Sequence, residues 1–291
     1  MKEYLKKNNI EIEVLNCGAE LVSFKVNDKE QMWNRDPKYW SKTSPVLFPF
    51  IGTIKNEHYY YNGQEYNIST RHGFARDMDF VLSNKGEDFL EFLLSSNLET
   101  LKNYPFNFDF YITYRIVENG IAIEYKVENK TNGIMYFSVG AHPAFRLDLD
   151  ENKTIYDYYI EFEKDETLDR LPLDGTLVSN KKTHFLNNEN KINITSELFN
   201  EDAIIFENSI SDKVSLKCNK SSNKLTLDYK GFPYIAFWSP KDAPFICLEP
   251  WYGISDFVDA TGVLEEKKGI QKIVENGIFN AIITITVENS N

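Results

Sequence analysis

The chain has 291 residues, of which 42% are hydrophobic and 26% charged, a balance typical of a globular protein with a large apolar core. Its formal net charge of −12 at pH 7 argues against nucleic acid and anionic membranes as partners, because both are bound through clustered Lys and Arg. The three cysteines are too few and too scattered for a disulfide framework. The basic N-terminus is followed by no apolar signal segment, and no apolar run reaches the roughly 18 residues of a membrane span. We therefore expect a cytoplasmic protein with reduced thiols.

Apolar and polar residues alternate along most of the chain, which is the period of a β-strand. The pattern begins at residues 10–14, where Ile and Val alternate with Glu. An Asn-Gly pair at 62–63 lies between two short aromatic runs, the strongest short-range signal of a hairpin. A larger hairpin is predicted from a strand over 108–117, a turn at 119–120 and a returning strand over 121–127.

Two further strand signals lie in the C-terminal part of the chain. Apolar residues alternate over 214–218 and again over 225–229, and the Ser-Ser-Asn segment at 221–223 is predicted as the turn between them. A β-branched run over 281–287 predicts a last strand.

Helix signals are few. Residues 36–40 predict one turn, and residues 96–104 predict another that is stopped by Pro105. No linker, repeat or composition break divides the chain. We therefore predict one all-β domain over residues 1–291, with large antiparallel sheets that pack face to face and few short helices. A concave outer face of such sheets can hold a ligand.

Residues 44–52 depart from strand alternation because two prolines lie among large apolar side chains. Proline donates no hydrogen bond to a sheet, so a central strand is excluded. An edge strand, a buried loop and the wall of a pocket all remain open for this segment.

Two short segments carry charged or imidazole side chains that suit a polar ligand. Residues 71–77 combine two arginines, one histidine and one aspartate. The guanidinium forks of Arg71 and Arg76 suit sugar hydroxyls and phosphates, with a solvated turn as the alternative. His142 precedes Pro143, which favours extended backbone at the histidine. A structural histidine is the alternative to a catalytic one.

Glu249 is the strongest single candidate for a catalytic group. In a strand, Phe245, Cys247 and Glu249 point to one face, and Pro250 keeps Glu249 extended. A carboxyl group in apolar surroundings, here flanked by Trp251, has a raised pKa that suits a general base near neutrality. The alternative is a glutamate at a strand end that pairs with an arginine.

Sites for metals and cofactors are not indicated by the sequence. No cluster of His, Cys, Asp and Glu has metal-ligand spacing. No glycine-rich phosphate loop, nucleophile elbow or dinucleotide fingerprint occurs. We therefore predict no metal and no organic cofactor.

These segments together resemble the galactose mutarotase-like family, the aldose 1-epimerases, and within it bacterial proteins of the lactose-operon type. The resemblance rests on motifs that follow one another along nearly the whole chain, at residues 45–52, 72–77, 140–145, 237–240 and 246–253. It implies a β-supersandwich with a sugar site on a concave face. The implied partner is a small-molecule sugar.

The resemblance also implies roles for individual residues. Glu249 corresponds to the general base that takes the anomeric proton, and protonated His142 to the general acid that serves the ring oxygen. The other predicted substrate contacts are His72, Arg76, Asp202, Arg71 and Trp251. Thr53 stands where the family commonly has an arginine, and Lys55 or Arg76 could supply that charge.

Three other functions remain open at this stage. The scaffold could bind or sense a sugar without catalysis. It could be a glycoside hydrolase with Glu249 and Asp202 as its carboxylate pair. It could also act on a hexose phosphate if Arg71, Arg76 and Arg146 converge on one anion.

Overall fold

The computed structural model describes residues 1–288, so the predicted domain end at residue 291 lies outside the described residues. The strands are, in chain order, β1 Lys2–Lys7, β2 Ile10–Leu15, β3 Leu21–Val26, β4 Lys29–Glu30, β5 Val46–Leu47, β6 His58–Tyr61, β7 Gln64–Asn67, β8 Val81–Lys85, β9 Phe89–Ser95, β10 Phe108–Val117, β11 Gly120–Asn129, β12 Met135–Phe137, β13 Val139–Ala141, β14 Ala144–Arg146, β15 Tyr158–Arg170, β16 Leu173–Asp174, β17 Leu177–Val178, β18 Thr183–Asn193, β19 Ile204–Glu207, β20 Lys213–Cys218, β21 Ser221–Asp228, β22 Tyr234–Trp238, β23 Phe245–Tyr252, β24 Gln271–Ile273 and β25 Ile278–Glu288. The α-helix α1 is Leu98–Asn103, and the 3-10 helices are Lys55–Glu57, Ala75–Asp77, Ile155–Asp157 and Leu264–Glu266. No helix within residues 1–288 is long and apolar enough to cross a membrane.

The strands form one large sheet and several small ones. The large sheet has 15 strands in the order β5-β13-β23-β22-β19-β15-β20-β21-β25-β11-β10-β9-β8, with β14 beside β23 and β18 beside β15. A second sheet has the order β1-β2-β3-β4. Neighbouring strands are antiparallel throughout these sheets. The predicted all-β class with large antiparallel sheets is therefore confirmed.

One of the three predicted hairpin turns lies at its predicted position, and a second is displaced by one residue. The turn between β6 and β7 has positive φ at both Asn62 (49°) and Gly63 (74°), the backbone that Asn-Gly favours. β10 and β11 pair over their full length, but Val117 pairs with Gly120, so the turn is residues 118–119 and Gly120 already begins β11. The third prediction is wrong, because the chain reverses at Asn219–Lys220 and the Ser-Ser-Asn segment begins β21. A tertiary contact fixes this turn, since the Asn219 N–H donates to the Asp157 carbonyl at 2.8 Å.

The helical turn predicted over 96–104 is the α-helix α1, Leu98–Asn103, and it begins with a capping box. The Asn97 side chain accepts hydrogen bonds from the backbone N–H groups of Glu99 and Thr100, and the Thr100 hydroxyl accepts from the Asn97 N–H. The other predicted helical turn, at 36–40, is a hydrogen-bonded turn without a helix. There the N–H groups of residues 39 and 40 both donate to the Asp36 carbonyl at 3.1 Å.

The segment with two prolines connects the core to the site described below. β5 lies at one end of the large sheet, which makes it the edge strand that the prolines allow. Phe48, which follows it, is fully buried and stacks on Phe110 with ring centroids 4.5 Å apart. The largest apolar cluster includes this pair and runs from Leu5 to Val287.

Candidate active site

Strand register places His142 across from Glu249. Gly140 in β13 pairs with Trp251 of β23, and Ala144 in β14 pairs with Cys247 of the same strand. β13 and β14 therefore pair with β23 in the same register. His142, midway between Gly140 and Ala144, lies opposite Glu249. Pro143 interrupts the ladder at this point, as expected for a residue without an N–H. One sheet thus holds both side chains on the same face.

A cavity of about 590 Å³ opens above this pair. It is lined by Tyr39, Trp40, Thr70, Arg71, His72, Arg76, Asp77, His142, Asp202, Ala203, Trp238, Pro240, Glu249 and Trp251. Every residue that the sequence predicted for the site is in this set. The floor comes from strands of the large sheet, and the charged rim comes from the 70–77 segment and from the turn before β19.

His142 and Glu249 form a close, buried pair. His142 Nε2 lies 3.3 Å from Glu249 Oε2, and their side chains are 9% and 2% exposed. Burial raises the pKa of Glu249 well above its usual range, while the nearby Arg71 opposes this rise. Burial, reinforced by the positive charges of Arg76 and Arg71, lowers the pKa of His142 to about 3. Without ligand the pair therefore favours a protonated carboxyl beside a neutral imidazole, unlike the charged imidazolium expected from the sequence.

Aromatic rings confine His142. Trp40 stacks on its imidazole with centroids 4.8 Å apart, and Trp238 contacts it edge-on at 5.8 Å. Neither tryptophan was predicted as a site residue. Trp238 in β22 pairs with Cys247 in β23. The alternation of side chains along this strand could have indicated which face of the sheet Trp238 occupies. Trp40 comes from a loop, and no sequence pattern would have placed it here.

The second histidine of the cavity has a fixed tautomer. His72 Nδ1 accepts a hydrogen bond from the Gly52 N–H at 3.1 Å. Burial lowers the pKa of His72 well below its usual range, and the neighbouring His142 adds to this effect. A neutral imidazole that accepts at Nδ1 carries its proton on Nε2. His72 can therefore donate a hydrogen bond to a ligand through Nε2.

The backbone beside His72 leaves no room for a side chain at residue 73. Gly73 has φ +73°, and a Cβ there would lie 2.3 Å from the backbone oxygen of Phe48. We expect Gly73→Ala to reduce the free energy of unfolding by about 3 kcal/mol, because it adds both strain and a backbone clash. Urea denaturation measures this change. Gly63→Ala is the control, since Gly63 also has positive φ (+74°) but nothing within 4 Å of the added Cβ. Equal losses in the two variants would contradict the clash.

Two arginines and one aspartate form the charged rim. Arg71 Nη2 lies 3.6 Å from Asp202 Oδ2. Asp202 Oδ1 accepts from the N–H of Ala203 at 2.8 Å, which fixes the carboxylate at the cavity edge. The neighbouring Glu201 bonds instead to Arg170 at 3.0 Å. Of the two adjacent acidic residues, Asp202 is thus the one at the site.

Three other residues considered from the sequence lie outside the cavity wall. Arg146 Nε is 3.3 Å from Asp148 Oδ1, so the expectation that it converges with the other arginines is wrong. The Lys55 ammonium donates to the Ala260 carbonyl at 3.2 Å and does not replace the family's arginine. Thr53 donates its backbone N–H to Ser255 Oγ at 2.9 Å. The positive charge at the cavity wall therefore comes from Arg71 and Arg76.

A third polar side chain lies beside the buried pair. Potential ligand atoms of His142, Cys247 and Glu249 all lie within 4.8 Å of one another. Sequence spacing indicated no such cluster, because two members are only two residues apart on one strand and the third, His142, lies about a hundred residues away between β13 and β14. Within residues 1–288, the buried His142 Nδ1 has no hydrogen-bond partner. The floor of the cavity therefore contains a polar atom whose hydrogen-bonding capacity is not used by the protein.

Comparison with known proteins identifies the family. Residues 3–275 match the family model described as aldose 1-epimerase. The plasmid form of protein LacX from Lactococcus lactis subsp. lactis is 33% identical over 295 residues, which cover 98% of this chain and 99% of that protein. A galactose mutarotase related enzyme from Lactobacillus acidophilus has a TM-score of 0.95 at 34% identity, covering 100% of this chain and 98% of the other.

A second solved structure agrees with the first. A galactose mutarotase-like protein from Lactobacillus casei ATCC 334 has a TM-score of 0.93 at 28% identity, covering 99% of this chain and 100% of the other. The galactose 1-epimerase from Lactobacillus acidophilus NCFM, at 13% identity and a TM-score of 0.71, shares the fold. The chain belongs to the aldose 1-epimerase family.

Proposed function

We propose that this protein is an aldose 1-epimerase that interconverts the α and β anomers of a hexose or a related sugar. The observation that carries the proposal is the pair of Glu249 and His142, 3.3 Å apart on the cavity floor. Ring opening needs one group that removes the anomeric hydroxyl proton and one that donates a proton to the ring oxygen. The pair has one group of each kind.

The geometry of the pair fits a hemiacetal. The hydroxyl oxygen and the ring oxygen are bonded to the same carbon, so an acid and a base that serve both must lie side by side. Glu249 takes the hydroxyl proton and His142 donates to the ring oxygen; after rotation about C1–C2, both transfers run backwards and close the other anomer.

The pKa shifts of the pair are compatible with this role. A protonated Glu249 beside a neutral His142 has the same number of protons as a carboxylate beside an imidazolium. One proton transfer across the 3.3 Å contact converts one form into the other. A bound sugar that donates a hydroxyl to the carboxylate favours the ionic form, because hydrogen bonds to a carboxylate lower its pKa.

The cavity rim supports a polyhydroxylated ligand. Arg71 and His72 present donors, and Asp202 presents a carboxylate acceptor, around the same opening. Such contacts hold the anomeric carbon over the pair, so orientation contributes to the rate. A glycoside hydrolase needs two carboxyl groups about 5–9.5 Å apart on either side of the bond. Here Glu249 faces an imidazole, and Asp202 pairs with Arg71.

Polarimetry of freshly dissolved α-glucose and α-galactose tests the proposal. We expect the protein to accelerate the approach to the equilibrium rotation over that of buffer. A sugar-binding protein without catalysis would change no rate, and a hydrolase would release nitrophenol from aryl glycosides instead. Absence of acceleration with every sugar of a broad panel would exclude the enzyme.

Arg76 favours a second candidate substrate, a sugar phosphate. Its guanidinium lines the cavity and has no ion-pair partner among residues 1–288, whereas Arg71 has Asp202. Burial lowers the pKa of Arg76, the carboxylates of Asp77 and Glu20 oppose this, and the nearby positive charge of Arg71 adds to the lowering. A phosphate dianion would offset this repulsion and accept the planar guanidinium fork.

Substitution of Arg76 separates the two substrate classes. If a sugar phosphate is the substrate, Arg76→Gln should lower kcat/KM for glucose 6-phosphate by about 10–100-fold, the loss expected for a charge-assisted hydrogen bond. Activity on free glucose should change less. Arg146→Gln is the matched control, since that arginine pairs with Asp148 outside the cavity. An equal loss on both sugars would assign Arg76 to a sugar hydroxyl.

A further inference from the structure

The pair on the cavity floor has a third neighbour for which ring opening has no use. Cys247 precedes Glu249 by two residues on β23, so both side chains point to the same face of the sheet. Cys247 is fully buried and its thiol is not in a disulfide. Ligand atoms of Cys247, Glu249 and His142 lie within 4.8 Å of one another.

We propose that His142, Cys247 and Glu249 form a binding site for a thiophilic divalent cation such as Zn²⁺, and that the bound cation inhibits the enzyme. A thiolate, an imidazole and a carboxylate are the three ligand types that proteins use for Zn²⁺. The thiolate and the carboxylate together cancel the two positive charges of the ion. A neutral buried complex avoids the cost of an isolated charge in the protein interior.

The distances require only a small adjustment. Bonds of about 2.0–2.3 Å at a tetrahedral zinc place ligand atoms roughly 3.3–3.8 Å apart. The 3.3 Å contact between His142 and Glu249 already lies within this range. No two of the three atoms are more than 4.8 Å apart, so a separation at that limit must shorten by about 1 Å, within reach of a side-chain rotation.

The cavity gives the ion both access and a fourth ligand. His142 and Glu249 line the cavity, so a cation can reach them from its floor while Cys247 lies behind. Water occupies the remaining coordination position on the cavity side, as in zinc sites with three protein ligands. The buried His142 Nδ1 has no hydrogen-bond partner among the described residues, so the protein leaves an imidazole nitrogen of this cluster unsatisfied.

The proton balance follows from the ligand chemistry. A thiol coordinates zinc as a thiolate, so binding releases the Cys247 proton to solvent together with the proton shared by the acid–base pair. An ion bonded to Glu249 and His142 occupies the groups that exchange protons with the sugar. Mutarotation therefore stops until a chelator removes the metal. This inhibition rests on the proposed function, whereas the binding of the metal does not.

Cobalt titration of the purified full-length protein tests the site without an activity assay. Co²⁺ takes the place of Zn²⁺, and a thiolate ligand produces a charge-transfer absorption in the near ultraviolet. We expect one equivalent of Co²⁺ to produce this band and Zn²⁺ to abolish it. Cys247→Ala should remove the band and weaken zinc binding by more than about tenfold. The double variant Cys17→Ala/Cys218→Ala, which leaves Cys247 as the only one of the three cysteines, should keep it.

Inhibition is measured separately. Wild-type mutarotation should fall as Zn²⁺ is added and recover with a chelator, and Cys247→Ala should keep its basal rate but lose sensitivity to Zn²⁺. Cobalt binding without a charge-transfer band, or unchanged zinc affinity in Cys247→Ala, would overturn the proposal. If the double variant shows the charge-transfer band but the protein shows no mutarotation, the metal site is upheld and the proposed enzyme function is rejected.

Discussion

Replacing Glu249 by glutamine should lower kcat for mutarotation by about a thousandfold, within the range that a positioned acid–base group contributes. The amide has nearly the same shape as the carboxyl group but does not exchange a proton with the anomeric hydroxyl. Glu249 is 1% exposed, so bulk water has little access to take its place. Polarimetry on freshly dissolved α-anomers measures the change.

The stability of this variant distinguishes lost chemistry from lost structure. Burial raises the pKa of Glu249, which means that the fold disfavours its charged form. An uncharged amide removes that penalty, so the Tm of Glu249→Gln at pH 7 should equal or exceed the wild-type Tm. Glu189→Gln, the same change at an exposed position, is the control. Near-wild-type turnover in Glu249→Gln would remove the general base from the mechanism.

Replacing His142 by glutamine should lower kcat by about a hundredfold, because the amide reaches the position of Nε2 but is not a proton donor of suitable strength. His184→Gln is the matched control. His184 is an exposed histidine on β18 that contacts Asp169 and does not line the cavity. A loss of activity as large in the control as in His142→Gln would point to a general effect of histidine substitution.

The same variant should change how stability depends on pH. Folding lowers the pKa of His142 from 6.5 to about 3, so the unfolded chain binds more protons than the folded one between these values. The stability from a neutral His142 is fully present above pH 6.5 and is lost as pH falls toward 3, by up to about 1.4 kcal/mol per pH unit.

Urea denaturation at pH 6 and pH 4 measures this effect. The free energy of unfolding should fall more steeply with acid in the protein that keeps His142 than in His142→Gln. Glu249, whose pKa is raised, changes stability in the opposite sense, and its titration is coupled to that of His142 through their 3.3 Å contact. Both proteins in the comparison therefore carry Glu249→Gln, which removes this contribution. Parallel pH profiles for the two proteins would show that His142 is not held neutral by the fold.

Local patterns in the sequence predicted the strands better than the turns between them. The Asn-Gly pair at 62–63 forms its turn from local preference alone, since both residues favour the backbone that a tight turn needs. The pair at 119–120 indicated the second hairpin, although its turn lies one residue earlier and only Asn119 has positive φ. The Ser-Ser-Asn segment had no such preference. A contact with Asp157, more than sixty residues away, decided the turn at Asn219–Lys220, and no local pattern reports a contact of that kind.

The candidate site was predictable only in part, for a related reason. Residues next to a proline or within a motif, such as His142 and Glu249, could be selected from the sequence because their local chemistry is unusual. Their relative position depends on the register of β13 and β14 on β23. Their protonation depends on burial by side chains such as Trp40, which arrives from a separate loop. These properties belong to the assembled fold.

The division of the cavity between sheet and loops has a consequence for how this protein can change. Glu249 lies on β23, and His142 lies between β13 and β14, which both pair with β23. Arg71, Arg76 and Asp202 lie outside the strands, in segments that can be lengthened or replaced without altering strand register. New substrate preferences can therefore be introduced by exchanging rim loops between relatives, with the reactive floor kept intact. A single-residue insertion between β13 and β14 has the opposite effect, because it turns His142 away from Glu249 and ends catalysis for every sugar at once.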